Sequence, residues 1–260
     1  IKAKVKNTFS YSDKTESFVY AVEGQPDAEF VLSKFDNIVT GMYVSGTGDK
    51  FIFHQTDSQT FAVSQVNEGA LTSRDSVNDF IHPESIGMGK ANSNICLAST
   101  PVCAATTVDV LVVFTSTAKT AWGGLAQSKS FIATAITNFN TALQNSGVSN
   151  VTINLVYSGE IVYTESGVIN TDLSRLRTEN DTYLDEVQTL RATYGADLCA
   201  LVTGTPTNTC GLGYLNTNPT NYSASNAYTV TLYNCVVSNY SLAHEMGHNM
   251  GLRHDWYVDT

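Results

Sequence analysis

The chain has 260 residues, of which 42% are hydrophobic and 15% charged, and its formal net charge is −10. This composition supplies enough apolar residues for a buried core and is not that of a disordered chain. The acidic balance, without a basic stripe, argues against a nucleic acid partner. No apolar run approaches the roughly 20 residues that cross a bilayer.

The N-terminal part of the chain predicts a small antiparallel β domain. Five β-branched or aromatic runs are separated by Gly, Asp, Asn and Ser turns at about ten-residue spacing. These runs cover residues 17–24, 28–35, 41–46, 50–56 and 60–66. The small, polar residues that follow have no periodicity, as is typical of a linker. We therefore place the β domain at 1–85 and the linker at 86–106.

Residues 107–260 predict an α/β domain. Runs typical of buried strands alternate with stretches in which apolar residues recur at helical spacing. The predicted strands cover residues 108–116, 151–163, 196–204, 211–216 and 227–233, and the predicted helices cover 117–144, 172–195 and 239–250. Alternating strands and helices indicate an α/β sandwich with a mostly parallel sheet.

The most informative stretch is HEMGHNMGLRHD, residues 244–255, at the end of the last predicted helix. His244 and His248 are about one helical turn apart, so both rings project from the same face and can bind one zinc ion. Gly251 allows a sharp turn that returns His254 to the same ion as the third ligand. Three protein ligands leave an open coordination position, which indicates a catalytic zinc site.

Glu245 directly follows the first of these histidines. A water in the open position is acidified by the metal, and Glu245 can reach it as a general base for peptide-bond hydrolysis. The alternative is that the histidines are surface or core residues of an amphipathic helix. The spacing of six fixed positions favours the zinc site.

HEMGHNMGLRHD resembles the zinc signature of the metzincin metalloendopeptidases, and Asp255 after the third histidine resembles their adamalysin/reprolysin branch. VDVLVVFTSTAK and CGLGYLN extend the similarity over about residues 106–255 to secreted bacterial reprolysin-like proteases, including the peptidyl-Asp metallopeptidases. The resemblance implies a secreted zinc endopeptidase that cleaves proteins or peptides. It also implies a twisted five-stranded sheet with the zinc helix beneath the edge strand, preceded by a β propeptide that inhibits the enzyme.

The same resemblance identifies residues 211–216 as the edge strand, to which an extended substrate adds by backbone hydrogen bonds. It implies substrate-binding roles for Gly211, Leu212, Gly213 and Tyr214, although an ordinary hairpin strand is the alternative. Cys210 and Cys235 bracket the strand pair before the zinc helix, and we predict that they form a disulfide. Cys199 lies in an apolar strand and is predicted to be a core residue.

One feature departs from the metzincin pattern. Metzincins have a methionine turn after the third histidine, whereas the last methionine here is Met250, inside the predicted helix. We therefore expect the methionine turn and the wall of the specificity pocket to lie beyond residue 260. This chain alone is then not expected to be fully competent.

The sequence leaves the mode of inhibition open. Zinc binds deprotonated sulfur well, so Cys96 in the linker is a candidate zinc-blocking residue. Alternatively, Cys96 and Cys103 bond to each other or to a C-terminal part beyond residue 260, or His82 or an Asp or Glu of the linker captures the metal.

Two further alternatives concern calcium and the function itself. A calcium site could involve Asp172, Glu179, Asp181, Asp185 and Glu186, although a solvated acidic helix face is favoured. For the function, the alternative is a non-catalytic protein-binding module or surface structural component on a metzincin-like scaffold.

Overall fold

The structure is a computed structural model that describes residues 1–71, 79–81, 104–217 and 223–254. Its first sheet is a meander of six antiparallel strands whose order in space follows the sequence. The strands are β1 (Ala3–Ser10), β2 (Glu16–Val22), β3 (Gln25–Phe35), β4 (Ile38–Val44), β5 (Lys50–Gln55) and β6 (Phe61–Gln65). Strands β2 to β6 lie where the sequence predicted them. The edge strand β1 was missed because most of its residues are exposed, so no buried face marks it.

The second sheet also has six strands, in the order β7-β11-β12-β10-β8-β9. They are β7 (Phe80–Ile81), β8 (Thr106–Phe114), β9 (Val151–Glu160), β10 (Leu198–Thr203), β11 (Gly211–Tyr214) and β12 (Tyr228–Leu232). The neighbouring strands β12, β10, β8 and β9 run parallel to one another, whereas β11 pairs antiparallel with β12. The prediction of five strands was therefore incomplete, because β7 from the N-terminal region adds a sixth beside β11.

Five α-helices lie in the described residues: α1 (Ser116–Trp122), α2 (Leu125–Asn145), α3 (Ile169–Arg177), α4 (Asp185–Tyr194) and α5 (Ser241–Asn249). None of them is long and apolar enough to cross a membrane. The prediction of one helix over 117–144 was wrong, because Gly123 and Gly124 have φ values of +95° and +135° that interrupt it. The helix predicted over 172–195 is likewise two helices, α3 and α4.

Two of the acidic residues considered for calcium accept hydrogen bonds from the chain near the break between α3 and α4. Asn180 and Thr182 have positive φ values of 61° and 74°, and their N–H groups donate to the Asp185 carboxylate. Asp172 is buried and accepts hydrogen bonds from the Tyr163 hydroxyl and the Ser166 N–H. These two carboxylates therefore stabilise the local chain, and calcium binding has no support.

Helices cover both faces of the second sheet. In β8, Val110, Val112 and Phe114 face the core cluster that contains residues of α2 and α5. Leu111 and Val113 face the opposite cluster, which contains residues of α3 and α4. Because both faces are buried, β8 is a continuous apolar run rather than an alternating one.

Helix α2 lies between the two sheets and is buried along most of its length. Its side toward the N-terminal sheet carries hydroxyl residues at spacings of four, three and four: Ser130, Thr134, Thr137 and Thr141, here called the hydroxyl stripe. The Thr40 hydroxyl donates to Ser130 Oγ at 2.9 Å, and the hydroxyls of Tyr11 and Thr137 are 2.7 Å apart. The contact between the two domains is thus rich in hydrogen bonds between side chains.

Candidate metal centre

Helix α5 is held beneath β11 at several points. Leu242 and Met246 are fully buried in the core. Asn249 Nδ2 donates to the carbonyl oxygens of Tyr214 and Tyr228 at 2.8 and 3.1 Å. The Asn216 N–H donates to the His248 carbonyl at 2.9 Å. These contacts fix the position of α5, and with it His244 and His248, relative to β11.

The chain reverses after α5, as the sequence predicted. Gly251 has φ +93°, and the Leu252 N–H donates to the Gly247 carbonyl at 2.9 Å. His248 Nδ1 lies 2.9 Å from the Leu252 carbonyl, so Nδ1 carries a proton and Nε2 presents its lone pair. The turn returns His254 to the two helix histidines.

The three histidines converge through their Nε2 atoms. His244 Nε2 lies 3.1 Å from His248 Nε2 and 3.2 Å from His254 Nε2. Four ligands arranged tetrahedrally around zinc at about 2.0–2.1 Å would be separated by about 3.3 Å. The three nitrogens therefore fit the ligand set of one zinc ion.

The Asp79 carboxylate lies beside the three nitrogens, and this side chain was not singled out by the sequence. All four ligand atoms lie within 4.8 Å of one another. The Asp79 carboxylate is 3.2 Å from His244 Nε2, 3.0 Å from His254 Nε2 and 3.7 Å from His248 Nε2. Burial raises the pKa of Asp79, but the hydrogen bonds and charges of the histidines outweigh it and lower that pKa overall. The predicted zinc-blocking residue, Cys96, lies outside the described residues.

Glu245 lies close enough to Asp79 for the two carboxyl groups to interact. Its side chain is 2% exposed, and Oε2 has no hydrogen-bond partner among the described residues. Burial raises the pKa of Glu245 well above its usual range, and the nearby charge of Asp79 raises it further. The carboxyl group is therefore available to exchange a proton in a water-poor site.

Two glycines of β11 make room for Glu245. A Cβ atom at Gly211 would lie 2.5 Å from Glu245 Oε1, and one at Gly213 would lie 2.9 Å from the Glu245 carbonyl oxygen. The sequence assigned these glycines only to substrate binding. No local sequence pattern predicts their close approach to Glu245, because this approach depends on how α5 packs beneath the strand.

The side chains of the other two predicted substrate residues lie on the opposite face of the sheet from α5. Leu212 and Tyr214 are buried in the cluster with α3, where Arg177 stacks 4.7 Å from the centre of the Tyr214 ring. Only their main chain can contact a substrate bound beside the histidines. The edge of β11 is already paired, because the N–H groups of Gly213 and Leu215 donate to the carbonyls of Asp79 and Ile81.

Cys210 and Cys235 form the predicted disulfide, with an S–S distance of 2.00 Å. The bond joins the start of β11 to the loop that follows β12, close to the beginning of α5. Cys199 is buried and unbonded, as predicted for a core residue, and burial raises the pKa of its thiol to about 12.

Replacing both disulfide cysteines with serine should lower the free energy of unfolding by about 3 kcal/mol, because a closed loop of this size restricts the unfolded chain. The separation of the two cysteines is 25 residues. Equilibrium urea denaturation measures the loss. Cys199→Ala, which removes a sulfur but no cross-link, should cost less. An equal cost for the two changes would contradict the cross-link effect.

Comparison with known proteins finds similarity to metallopeptidases. Residues 104–260 match the family described as metallo-peptidase family M12. A peptidyl-Asp metalloendopeptidase of Stenotrophomonas maltophilia is 31% identical over 246 residues, which are 95% of this chain and 56% of the relative. The corresponding protein of Xanthomonas campestris is 37% identical over 153 residues, 59% of this chain and 35% of the relative.

A solved structure shares the fold over nearly the whole chain. The crystal structure of metalloproteinase-II from Bacteroides fragilis aligns with 94% of this chain and 74% of its own, with a TM-score of 0.51 and 13% sequence identity. At that identity the likeness shows the fold alone. The chain spans little more than half the length of the Stenotrophomonas relative.

Proposed function

This chain belongs to metallopeptidase family M12, and we propose that it is a zinc-dependent metalloendopeptidase held in an inactive pro-form by its N-terminal domain. The observation that carries this proposal is the convergence of the Nε2 atoms of His244, His248 and His254 beside the buried carboxyl group of Glu245. Its substrates are proteins or peptides.

The chemistry follows from the residues around the centre. The three histidines would hold zinc, which when bound polarises a peptide carbonyl and lowers the pKa of water. Glu245 accepts the proton of the attacking water and passes it to the leaving amine. The main chain of Gly211 to Tyr214 binds an extended substrate as an added strand.

The pro-form is supported by the contact between the domains. In this arrangement Asp79 to Ile81 lie along β11, where an extended substrate would bind. The N-terminal sheet also covers the hydroxyl stripe of α2. Hydroxyl groups can bond to water once the cover is removed, whereas an apolar face would remain costly to expose. The interface is therefore suited to a domain that is later released.

We also propose that the enzyme acts outside the cell. The disulfide between Cys210 and Cys235 is of a kind that persists in oxidising compartments. The relatives reported above are bacterial enzymes with peptidyl-Asp in their names, so peptides with and without aspartate are the first substrates to compare.

The test measures zinc by elemental analysis and casein cleavage, before and after release of the N-terminal domain. A specific protease site placed within residues 86–106 of the full-length protein allows the release. We expect about one zinc per chain in both forms, consistent with three histidine ligands, and cleavage only after release. His248→Ala should lose the zinc. A protein without zinc in either form would contradict the proposal and favour the non-catalytic binding module.

A further inference from the structure

Resting on the proposed function, we infer that the catalytic domain carries a docking site for the N-terminal domain at the sheet edge opposite to β7, and that this site keeps the N-terminal domain bound after the linker is cut. The docked segment is the turn between β1 and β2, residues 11–15, here called the latch turn. Strands β7 and β9 are the two outer strands of the second sheet. Five strand spacings of about 4.8 Å therefore put the docking site about 24 Å from β7.

Tyr11 places both an aromatic ring and a hydroxyl in the catalytic domain. Its side chain is buried in the core cluster that contains residues of α2 and α5. Its hydroxyl oxygen is 2.7 Å from Thr137 Oγ1 and 3.5 Å from Asn140 Nδ2. The Asn140 amide is also bound to both the N–H and the carbonyl of Ile153, each at 2.8 Å. The catalytic domain thus fixes the polar end of this pocket with its own main chain.

Asp13 attaches the latch turn to the outer strand β9. Its N–H donates to the Leu155 carbonyl at 3.1 Å, and the Ser158 hydroxyl donates to Asp13 Oδ2. The other carboxylate oxygen accepts the Thr15 N–H at 2.9 Å, so the turn orients its own carboxylate. An outer strand presents backbone groups that have no partner strand. The latch turn satisfies one of these groups, the Leu155 carbonyl.

Lys129 of α2 adds a charged contact with the same turn. Its Nζ lies 3.9 Å from Asp13 Oδ2 and 4.3 Å from the centre of the Phe35 ring in β3. Burial lowers the pKa of Lys129, and the charge of Asp13 opposes this shift. A buried carboxylate is costly without a cation or hydrogen-bond donors. The docking site therefore recognises a turn in which an aspartate follows a tyrosine by two positions.

These contacts do not depend on an intact linker. Tyr11 and Thr137 are 126 positions apart in the sequence, and the latch turn lies at the far end of the N-terminal domain from residues 86–106. A cut in the linker breaks none of the hydrogen bonds and lowers only the effective concentration of one domain near the other. Cutting the chain and separating the domains are therefore two steps, and the docking site controls the second.

The experiment measures how fast the N-terminal domain dissociates after the full-length protein is cut within residues 86–106. A fluorophore on the exposed Ile1 reports dissociation as a fall in anisotropy after dilution. Asp13→Asn and Ser158→Ala should each raise the dissociation rate by about ten- to one-hundred-fold, the range expected for a lost hydrogen bond to a charged group. Asp27→Asn, an exposed aspartate in β3 of the same domain, is the matched control and should dissociate as the wild type does.

Two further variants strengthen the test. The double variant Asp13→Asn with Ser158→Ala should dissociate little faster than the faster single variant, because the two changes remove one shared hydrogen bond. Tyr11→Phe removes only a hydroxyl and should raise the rate by about ten-fold. It keeps the inference open to contradiction if Asp13→Asn disturbs the folding of the turn.

The outcomes separate this inference from the proposed function. Dissociation of all the latch-turn and Ser158 variants at the rate of the control would overturn the docking site, as would immediate dissociation of the wild type on cutting. Multiplied effects in the double variant would overturn the direct contact between Asp13 and Ser158. Casein cleavage in the same samples should appear as the domains separate. Dissociation as expected without any cleavage would reject the protease proposal and leave the docking site in place.

Discussion

Glu245→Gln should keep about one zinc per chain and lose turnover by about 10²- to 10⁴-fold, the range that a positioned general base contributes. The substitution preserves the size of the side chain but removes its ability to take a proton. The free energy of unfolding should not fall, because burial already disfavours the charged carboxylate. Peptide cleavage by the released catalytic domain gives the rate, and elemental analysis gives the zinc content.

A surface glutamate provides the matched control for this variant. Glu160 ends β9 and forms an ion pair with Lys119 at the protein surface. Glu160→Gln makes the same chemical change far from the proposed chemistry and should leave turnover at the wild-type level. Turnover by Glu245→Gln that matched this control would remove Glu245 from the mechanism.

Gly211→Ala and Gly213→Ala should have different effects, although the two positions are only two residues apart and share one face of β11. At Gly211 the new methyl group meets the side chain of Glu245, with Oε1 at 2.5 Å and Cγ at 2.6 Å. The carboxylate must then move, and a displacement of about 1 Å in a reacting group can cost about 10²-fold in rate. The fold itself should be little affected.

At Gly213 the obstacle is the main chain of α5, because the methyl group would lie 2.9 Å from the Glu245 carbonyl oxygen. Helix and strand must separate slightly, and overpacking of this kind costs about 1–3 kcal/mol. Urea denaturation and kcat on the released domain should therefore separate the two variants. Wild-type kcat in Gly211→Ala would show that this glycine does not position Glu245.

The three-histidine motif and its adjacent Glu245 could be recognised because their signal is local. The spacing of His244 and His248 already places both rings on one helix face, and Gly251 marks the turn that returns His254. The alternation of buried strands and helices was equally visible, since β8 is apolar on both faces. The two helix breaks were missed because apolar spacing continues across Gly123–Gly124 and across residues 178–184.

The sequence by itself therefore determined the α/β organisation and the three-histidine motif with its adjacent glutamate. Only the tertiary structure brought Asp79 to the histidines, across 165 positions of sequence from His244. The same is true of the glycines that accommodate Glu245 and of the hydroxyl stripe against the N-terminal sheet. Such contacts depend on which surfaces pack together, and no local periodicity encodes the partner of an aspartate, a glycine or a threonine.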